Sequence, residues 1–304
     1  MRVLLTGAAG FIGSHVATAL LERGHDVHAV LRPSSPSPRL DRVRRDLTVW
    51  ETDLLDPTGT RSAVLGAEPE AAVHLAWFAD PRTYLHARPE NLASVTASAA
   101  LIGRLVEAGC PRLVLGGSCL EATAASGGPP SFYAVAKRAV HELAMGIGPD
   151  VMSVVCGHIF SVYGPGEHES RAVPSVTRAL LRDETVDVTE ATRLRDYIHV
   201  ADVASALCAV LESDTVGTVD ICSDRPRPLH AVFREIGEAT GRGHLIRWGA
   251  RPTRPGEDFD VTGDPGPLER LGWTPSYPLS EGVRDTVAWW QTQRVPTVSA
   301  TEDR

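Results

Sequence analysis

Lysine is nearly absent from this chain: of the 30 basic residues among 304, only Lys137 is a lysine and the other 29 are arginine. No basic cluster stands out and the formal net charge is −8, which argues against nucleic acid as a partner. An anionic ligand must then be met by a few local arginines in an acidic background. Long apolar runs are missing too, and no secretory leader precedes the first strand-like segment, so the expectation is no membrane association and a cytoplasmic location. Cysteine is scarce, with Cys110, Cys119, Cys156, Cys208 and Cys222 odd in number and without metal-ligand spacing. They read as reduced, mostly buried apolar residues, and no metal ligand is expected. His74, His168 and His199 also lack ligand spacing and read as structural. No internal repeat is present.

What is there begins at that lone lysine, which falls four residues after a tyrosine in Tyr133-Ala-Val-Ala-Lys137. On a helix the two share a face about one turn apart. A compact ammonium there can favour a phenolate, a task for which the planar guanidinium of arginine is poorly shaped. Tyr133 and Lys137 are therefore candidate proton-transfer residues. At the other end, Arg2-Val-Leu-Leu-Thr6 reads as a buried strand, Gly7-Ala-Ala-Gly10-Phe-Ile-Gly13 follows at once, and an apolar-periodic helix runs from Phe11 to Arg23. Strand, glycine turn and helix in that order form a dinucleotide site: the glycines admit a pyrophosphate and the helix N-terminus presents free amides to it.

Thr6-Gly-Ala-Ala-Gly-Phe-Ile-Gly13 together with Tyr133-x-x-x-Lys137 resembles the extended short-chain dehydrogenase/reductase family of nucleotide-sugar epimerases, dehydratases and ketoreductases. Further segments fit in order, among them Asp53-Leu54, His74-Leu75-Ala76, Ser118, Tyr163-Gly-Pro165, Arg195-Asp-Tyr-Ile-His-Val200, Arg254-Pro-Gly-Glu257 and Leu271-Gly-Trp-Thr-Pro275. The expected fold is α/β, a Rossmann-type doubly wound parallel sheet with a smaller C-terminal substrate-binding α/β lobe. Strands are expected at 26–31, 47–51, 71–75, 112–115 and 151–159 after the first, with helices at 57–65, 91–108 and 133–145. Residues 1–165 would form the NADP-binding domain and 166–304 the second lobe, interleaved because the helix at 199–211 packs back on the first. The tail after about residue 294 reads as disordered.

The resemblance also implies roles. Gly7, Gly10, Phe11, Ile12 and Gly13 would cradle the cofactor, with Leu75 and Ala76 beside them and Asp53 and Leu54 at the adenine. The second strand ends at Leu31, where NAD-binding members carry a carboxylate, and Arg32 follows. Arg32, helped by Ser34, Ser35 or Arg39, could bind a 2′-phosphate, so NADP(H) is expected in preference to NAD(H). Ser118, Tyr133 and Lys137 would be the catalytic residues: Tyr133 protonating a ketone oxygen, Ser118 hydrogen-bonding it, Lys137 holding the nicotinamide ribose and lowering the tyrosine pKa.

Family dehydratases carry an aspartate and a glutamate directly after the hydroxyl residue, whereas this chain has Cys119 and Leu120. Elimination of water is therefore not expected. Glu121 is one position too far along and is expected to face elsewhere, and Ala122 stands where ketoreductases commonly have an aromatic residue. Arg195 and Arg254, with Arg171 as a third, would clamp a nucleotide diphosphate. The expected activity is NADPH-dependent reduction of a nucleotide-linked 4-keto-6-deoxyhexose in deoxysugar biosynthesis, by a homodimer joined through the helices at 91–108 and 133–145. The alternatives are a nucleotide-sugar 4-epimerase with tightly bound NAD and a non-catalytic NADP-sensing protein. Retention of Tyr133 with the only lysine argues against the last.

Overall fold

A computed structural model describes residues 1–34, 36–121, 130–252 and 260–293 of the chain. Ser35, Ala122, Arg254 and the tail read as disordered lie outside the described residues. Strands and helices alternate through the first half: β1 (Arg2–Thr6), α1 (Phe11–Glu22), β2 (Asp26–Leu31), β3 (Thr48–Glu51), α2 (Pro57–Ala67), β4 (Ala71–His74), α3 (Arg88–Glu107), β5 (Arg112–Ser118), α4 (Phe132–Met145) and β6 (Ser153–Ile159). The second half holds β7 (Ser161–Tyr163), α5 (Ala172–Leu181), β8 (Val186–Asp187), β9 (Leu194–Arg195), β10 (Tyr197–His199), α6 (Val200–Leu211), β11 (Gly217–Ile221), β12 (Arg227–Pro228), α7 (Leu229–Thr240), β13 (Ile246–Arg247), α8 (Gly266–Arg270) and α9 (Leu279–Thr292).

Seven strands form one sheet in the order β11-β6-β5-β4-β1-β2-β3, every neighbouring pair parallel. β4 and β5 are buried at every residue, as strands covered on both faces must be. On one face α1 and α6 bring Val16, Leu20, Val203 and Leu207 into the core. On the other, α2, α3 and α4 contribute Val64, Leu101, Leu105, Val140 and Ala144. The strand order reverses at β1 and β4, so the crevice for a ligand opens at the carboxyl ends of these strands. A separate cluster of Val176, Leu180, Phe233, Ile236 and Val283 joins α5, α7 and α9.

Local chemistry explains the boundaries near the site. Ser131 caps α4 by accepting the Ala134 N–H at 3.2 Å, and Asp56 caps α2 by accepting that of Thr58 at 3.0 Å. α3 starts three residues before the expected Asn91, because Pro89 suits the first helical turn. β5 runs through Gly116 and Gly117 to Ser118 rather than ending at Leu115, because β6 pairs with it along its whole length. β11 is not expected from the sequence; it extends the sheet beyond β6 with Val219 opposite Gly157. Among the described residues, no helix is long and apolar enough to cross a membrane.

Candidate active site

The turn after β1 is shaped for close approach. Gly7 has φ +76°, and a Cβ there would lie 2.7 Å from the Ala76 nitrogen. A Cβ at Gly13 would collide with the Gly7 carbonyl oxygen, so α1 can begin tight against the turn only with glycine there. Gly10 caps α1 without a side-chain hydrogen bond, so no side chain competes for the amides of the first turn, where Phe11 and Ile12 sit half-buried. These features fit a dinucleotide pyrophosphate.

A buried polar chain holds the facing loop. The Ala76 N–H donates to Thr6 Oγ1 at 3.3 Å, so the Thr6 hydroxyl donates onward to His74 Nδ1 at 2.6 Å. His74 Nε2 then donates to Ser98 Oγ at 2.8 Å, and Ser98 to the Ser94 carbonyl at 2.7 Å. Burial holds this imidazole neutral, with its pKa pushed down to about 3 and the nearby Lys137 charge adding to the effect. The Leu75 N–H bonds the Thr6 carbonyl at 3.2 Å, which places Leu75 and Ala76 across from the glycine turn.

At the far end of β2, Leu31 is buried and Arg32 exposed. Arg39, expected as a possible helper, donates through both Nε and Nη2 to the Gly166 carbonyl, at 3.0 and 2.8 Å, which leaves Nη1 as its remaining nitrogen. Asp53 is exposed after β3 and accepts the Leu55 N–H at 2.9 Å, leaving one oxygen uncommitted to that turn; Leu54 beside it is half-buried.

The fold brings Ser118, Tyr133 and Lys137 together. Ser118 ends β5, and its side chain lies close enough to Tyr133, in the first turn of α4, to act on the phenol. The Tyr133 ring packs edge-on against Tyr84 with centroids 4.9 Å apart, and against Trp77 at 6.2 Å. Burial pushes the phenol well above its ordinary value, Tyr84 adds to this, and the Ser118 side chain opposes it. Lys137, one turn on, donates to the Gly116 carbonyl at 2.6 Å and lies 4.2 Å above the Trp77 ring. Burial pulls its ammonium down to about 8. The expected lowering of the tyrosine pKa by Lys137 is therefore not seen here: burial dominates, and the ammonium is directed at the β5 backbone.

Beneath this trio is a cluster that the sequence reading missed. Glu121 is 3% exposed, accepts the Ser118 N–H through Oε1 at 2.7 Å, and turns Oε2 toward His141 Nδ1 at 3.3 Å and His158 Nε2 at 3.6 Å. Its carbonyl accepts from Arg138. Burial alone would raise the Glu121 carboxyl, but the His141 hydrogen bond and the nearby His158 imidazole hold it down at about 2. The partners shift the opposite way: Cys156 and Glu121 raise His141 to about 9, and His158 rises to about 11 despite its burial because Asp220, Cys156 and Glu121 favour its cation. Sequence spacing carries no sign of this group, which depends on the β5–β6 register and the docking of α4.

Of the candidate substrate arginines, Arg171 and Arg195 are among the described residues. Arg171 occupies the N-cap of α5, is near enough to Tyr84 to interact with its phenol, and lies 3.7 Å from the buried Glu167. Arg195, on β9, is close enough to Cys119 to act on its thiol electrostatically. Glu167 has one carboxylate oxygen without a hydrogen-bond partner, and burial lifts its pKa to about 8 against the pull of Arg171.

Residues 3–222 match the family model described as the NAD dependent epimerase/dehydratase family. The chain is 30% identical over 251 residues to a 3-diazoavenalumate denitrifying reductase from a Streptomyces species, covering 75% of this chain and 78% of that protein. It is 24% identical to CDP-abequose synthase from Salmonella muenchen, with 93% of this chain and 96% of that one covered. The crystal structure of a Thermus thermophilus UDP-glucose 4-epimerase complexed with NAD superposes with a TM-score of 0.85 at 25% identity, covering 97% of this chain and all of the other. The chain therefore belongs to the NAD dependent epimerase/dehydratase family, enzymes of the extended short-chain dehydrogenase/reductase superfamily built on a Rossmann-type sheet.

Proposed function

We propose that this enzyme is an NADPH-dependent ketoreductase that reduces a nucleotide-linked 4-keto-6-deoxyhexose. The observation that carries the reading is placement: Ser118 ends β5 beside Tyr133 and Lys137, one turn apart on α4, and Cys119 and Leu120 stand where a dehydratase needs its acid and base. When bound, the nicotinamide cofactor supplies the hydride to the keto carbon. Tyr133 gives its phenolic proton to the keto oxygen, and the Ser118 hydroxyl hydrogen-bonds that oxygen and orients it. Lys137 spends one of its three N–H donors on Gly116, leaving two for the ribose hydroxyls of the cofactor and for the phenol. Elimination lacks its acid and base, since Leu120 transfers no proton and the Glu121 carboxylate is committed to the Ser118 N–H and to His141.

Arg32 follows a β2 strand that ends in leucine, which supports NADP(H) over NAD(H). Gly7, Gly10 and Gly13 would hold the pyrophosphate, Asp53 the adenine, and Arg171 and Arg195 the diphosphate of the substrate in the cleft beside the smaller lobe. Leu92 on α3 and Val135 and Leu143 on α4 are exposed on two helices that pack together, which supports a homodimer through this pair.

A second reading is a nucleotide-sugar 4-epimerase with tightly bound NAD. The similarity to an epimerase complexed with NAD favours it, and the same three residues would serve it. The test is absorbance-monitored oxidation of NADPH and of NADH with dTDP- and CDP-4-keto-6-deoxyglucose supplied separately. Stoichiometric loss of NADPH with either sugar supports the ketoreductase. No loss, with NAD(H) released from denatured protein, moves the assignment to the epimerase.

A further inference from the structure

We propose that Glu121, His141, Cys156 and His158 form a binding site for a zinc-like divalent metal ion directly beneath the catalytic serine. One ligand atom from each of the four lies within 4.8 Å of the other three. Glu121 Oε2 is 3.3 Å from His141 Nδ1 and 3.6 Å from His158 Nε2, and Cys156 Sγ lies within 4.8 Å of all three. Zinc bonds of about 2.0–2.3 Å in a tetrahedron place neighbouring ligand atoms ~3.3–3.7 Å apart, so the two Glu121–histidine spacings are already those of its edges and a small inward movement brings the rest to them.

Two observations set the cluster apart from an ordinary ion-pair network. His158 is 8% exposed, yet its Nε2, aimed at the centre, has no hydrogen-bond partner. A buried nitrogen left without a partner is rare in a network and is what a ligand nitrogen looks like. The outward nitrogens, by contrast, are held: His158 Nδ1 faces Asp220 Oδ1 at 3.4 Å and His141 Nε2 faces Thr218 Oγ1 at 3.2 Å. An oxygen partner behind each imidazole is the usual support of a metal-bound histidine.

The backbone leaves room. Gly117 lies beside the cluster, where a Cβ would come within 2.6 Å of Cys156 Sγ and 2.9 Å of Glu121 Oε1. The sheet register puts Cys156 and His158 on one face of β6, two residues apart, and α4 lowers His141 onto that face. Charge balances as well: a thiolate and a carboxylate neutralise a divalent ion, so the Lys137 ammonium lining the same small cavity meets a neutral centre. Four protein ligands make a closed site whose role is structural. It would tie β5, α4 and β6 together and, through Glu121, fix the Ser118 backbone. Binding takes Cys156 as thiolate and both histidines neutral, with their protons released to solvent.

The test uses the full chain, stripped with chelator at neutral pH and titrated with Co²⁺ as the probe. The expected result is one equivalent bound per chain, with a near-ultraviolet thiolate-to-cobalt charge-transfer band and the intense visible bands of a four-coordinate ion, all bleached by equimolar Zn²⁺. Cys156→Ser should abolish the charge-transfer band, and Cys119→Ser, which alters a thiol outside the cluster, should keep it. If Cys156→Ser does not fold, His141→Asn on the half-buried face of α4 decides the matter: a loss of Co²⁺ affinity of tenfold or more supports the site. Failure of the wild-type chain to retain either metal on desalting, an unchanged band in Cys156→Ser, or unchanged affinity in His141→Asn would overturn it.

Discussion

The Lys137 ammonium donates to the Gly116 carbonyl at 2.6 Å while lying 4.2 Å above the Trp77 ring. The niche is buried, and its two partners, a single acceptor and an aromatic face, suit a point charge on a slender stem. An arginine would bring a planar fork with five donors into a space that offers one acceptor. This explains why the only lysine of an arginine-rich chain occurs here.

Lys137→Arg should accordingly behave like Lys137→Ala rather than like the wild type. Steady-state NADPH oxidation should fall about 10²-fold or more in both, with folding checked by circular dichroism. Near-normal turnover in the arginine variant would refute the role of the point charge.

Tyr133→Phe keeps the ring against Tyr84 and Trp77 and removes only the hydroxyl that meets Ser118. Turnover should drop about 10²–10⁴-fold, while cofactor affinity measured by fluorescence titration stays within a factor of ~3. Unchanged turnover would point to another proton donor.

Arg32→Ala should weaken NADPH binding about tenfold or more and leave NADH nearly unaffected, since one charge-assisted contact to a phosphate is worth roughly 1.5–3 kcal/mol. Calorimetric titration with both cofactors gives the ratio. If both lose equally, Arg32 is not reading the 2′-phosphate.

Acid should unfold the protein through two imidazoles buried in their neutral form. Burial depresses His74 to about 3 and His199 to about 4, both from an ordinary 6.5. The unfolded chain takes up these protons first, so their contribution is intact above pH 6.5 and is lost as pH falls toward 4 and 3. Thermal melts should show a loss on the order of 2–5 kcal/mol between pH 6.5 and 4.5, and His74→Asn should flatten the slope. Glu167 acts in the opposite sense, because its pKa is raised from 4.5 to about 8 and its contribution fades as pH rises through that range. Glu167→Gln should therefore gain stability relative to wild type at pH 8 to 9.

Leu92→Glu with Leu143→Glu places charge on the exposed faces of α3 and α4. Light scattering at micromolar concentration should show a dimer for the wild-type chain and a monomer for the double variant. A wild-type monomer would remove the proposed interface.

How much of the molecule is legible in its sequence varies with how local the signal is. β1, its glycine turn and α1 are readable because apolar runs, glycine and helical period act within a dozen residues. The sequence ends β5 at Leu115 because Gly116 and Gly117 have little strand propensity; pairing with Gly157 and His158 of β6 overrides that preference. β11 escapes notice because a five-residue segment with one buried face gives little signal until β6 offers it an edge. Glu121 is expected only to face elsewhere, and its inward place beneath Ser118 is not legible because it depends on where β6 and α4 dock.

The sequence by itself determined the alternation that makes a parallel sheet, the phosphate-shaped turn between β1 and α1, and the tyrosine–lysine pair one turn apart, because each depends on neighbours along the chain. Only the tertiary structure decided that Lys137 would reach Gly116, that Arg39 would bond Gly166, and that Glu121, His141, Cys156 and His158 would converge. These meetings join residues separated by up to more than a hundred positions, and they are set by sheet register and helix docking, which no local pattern of residues encodes.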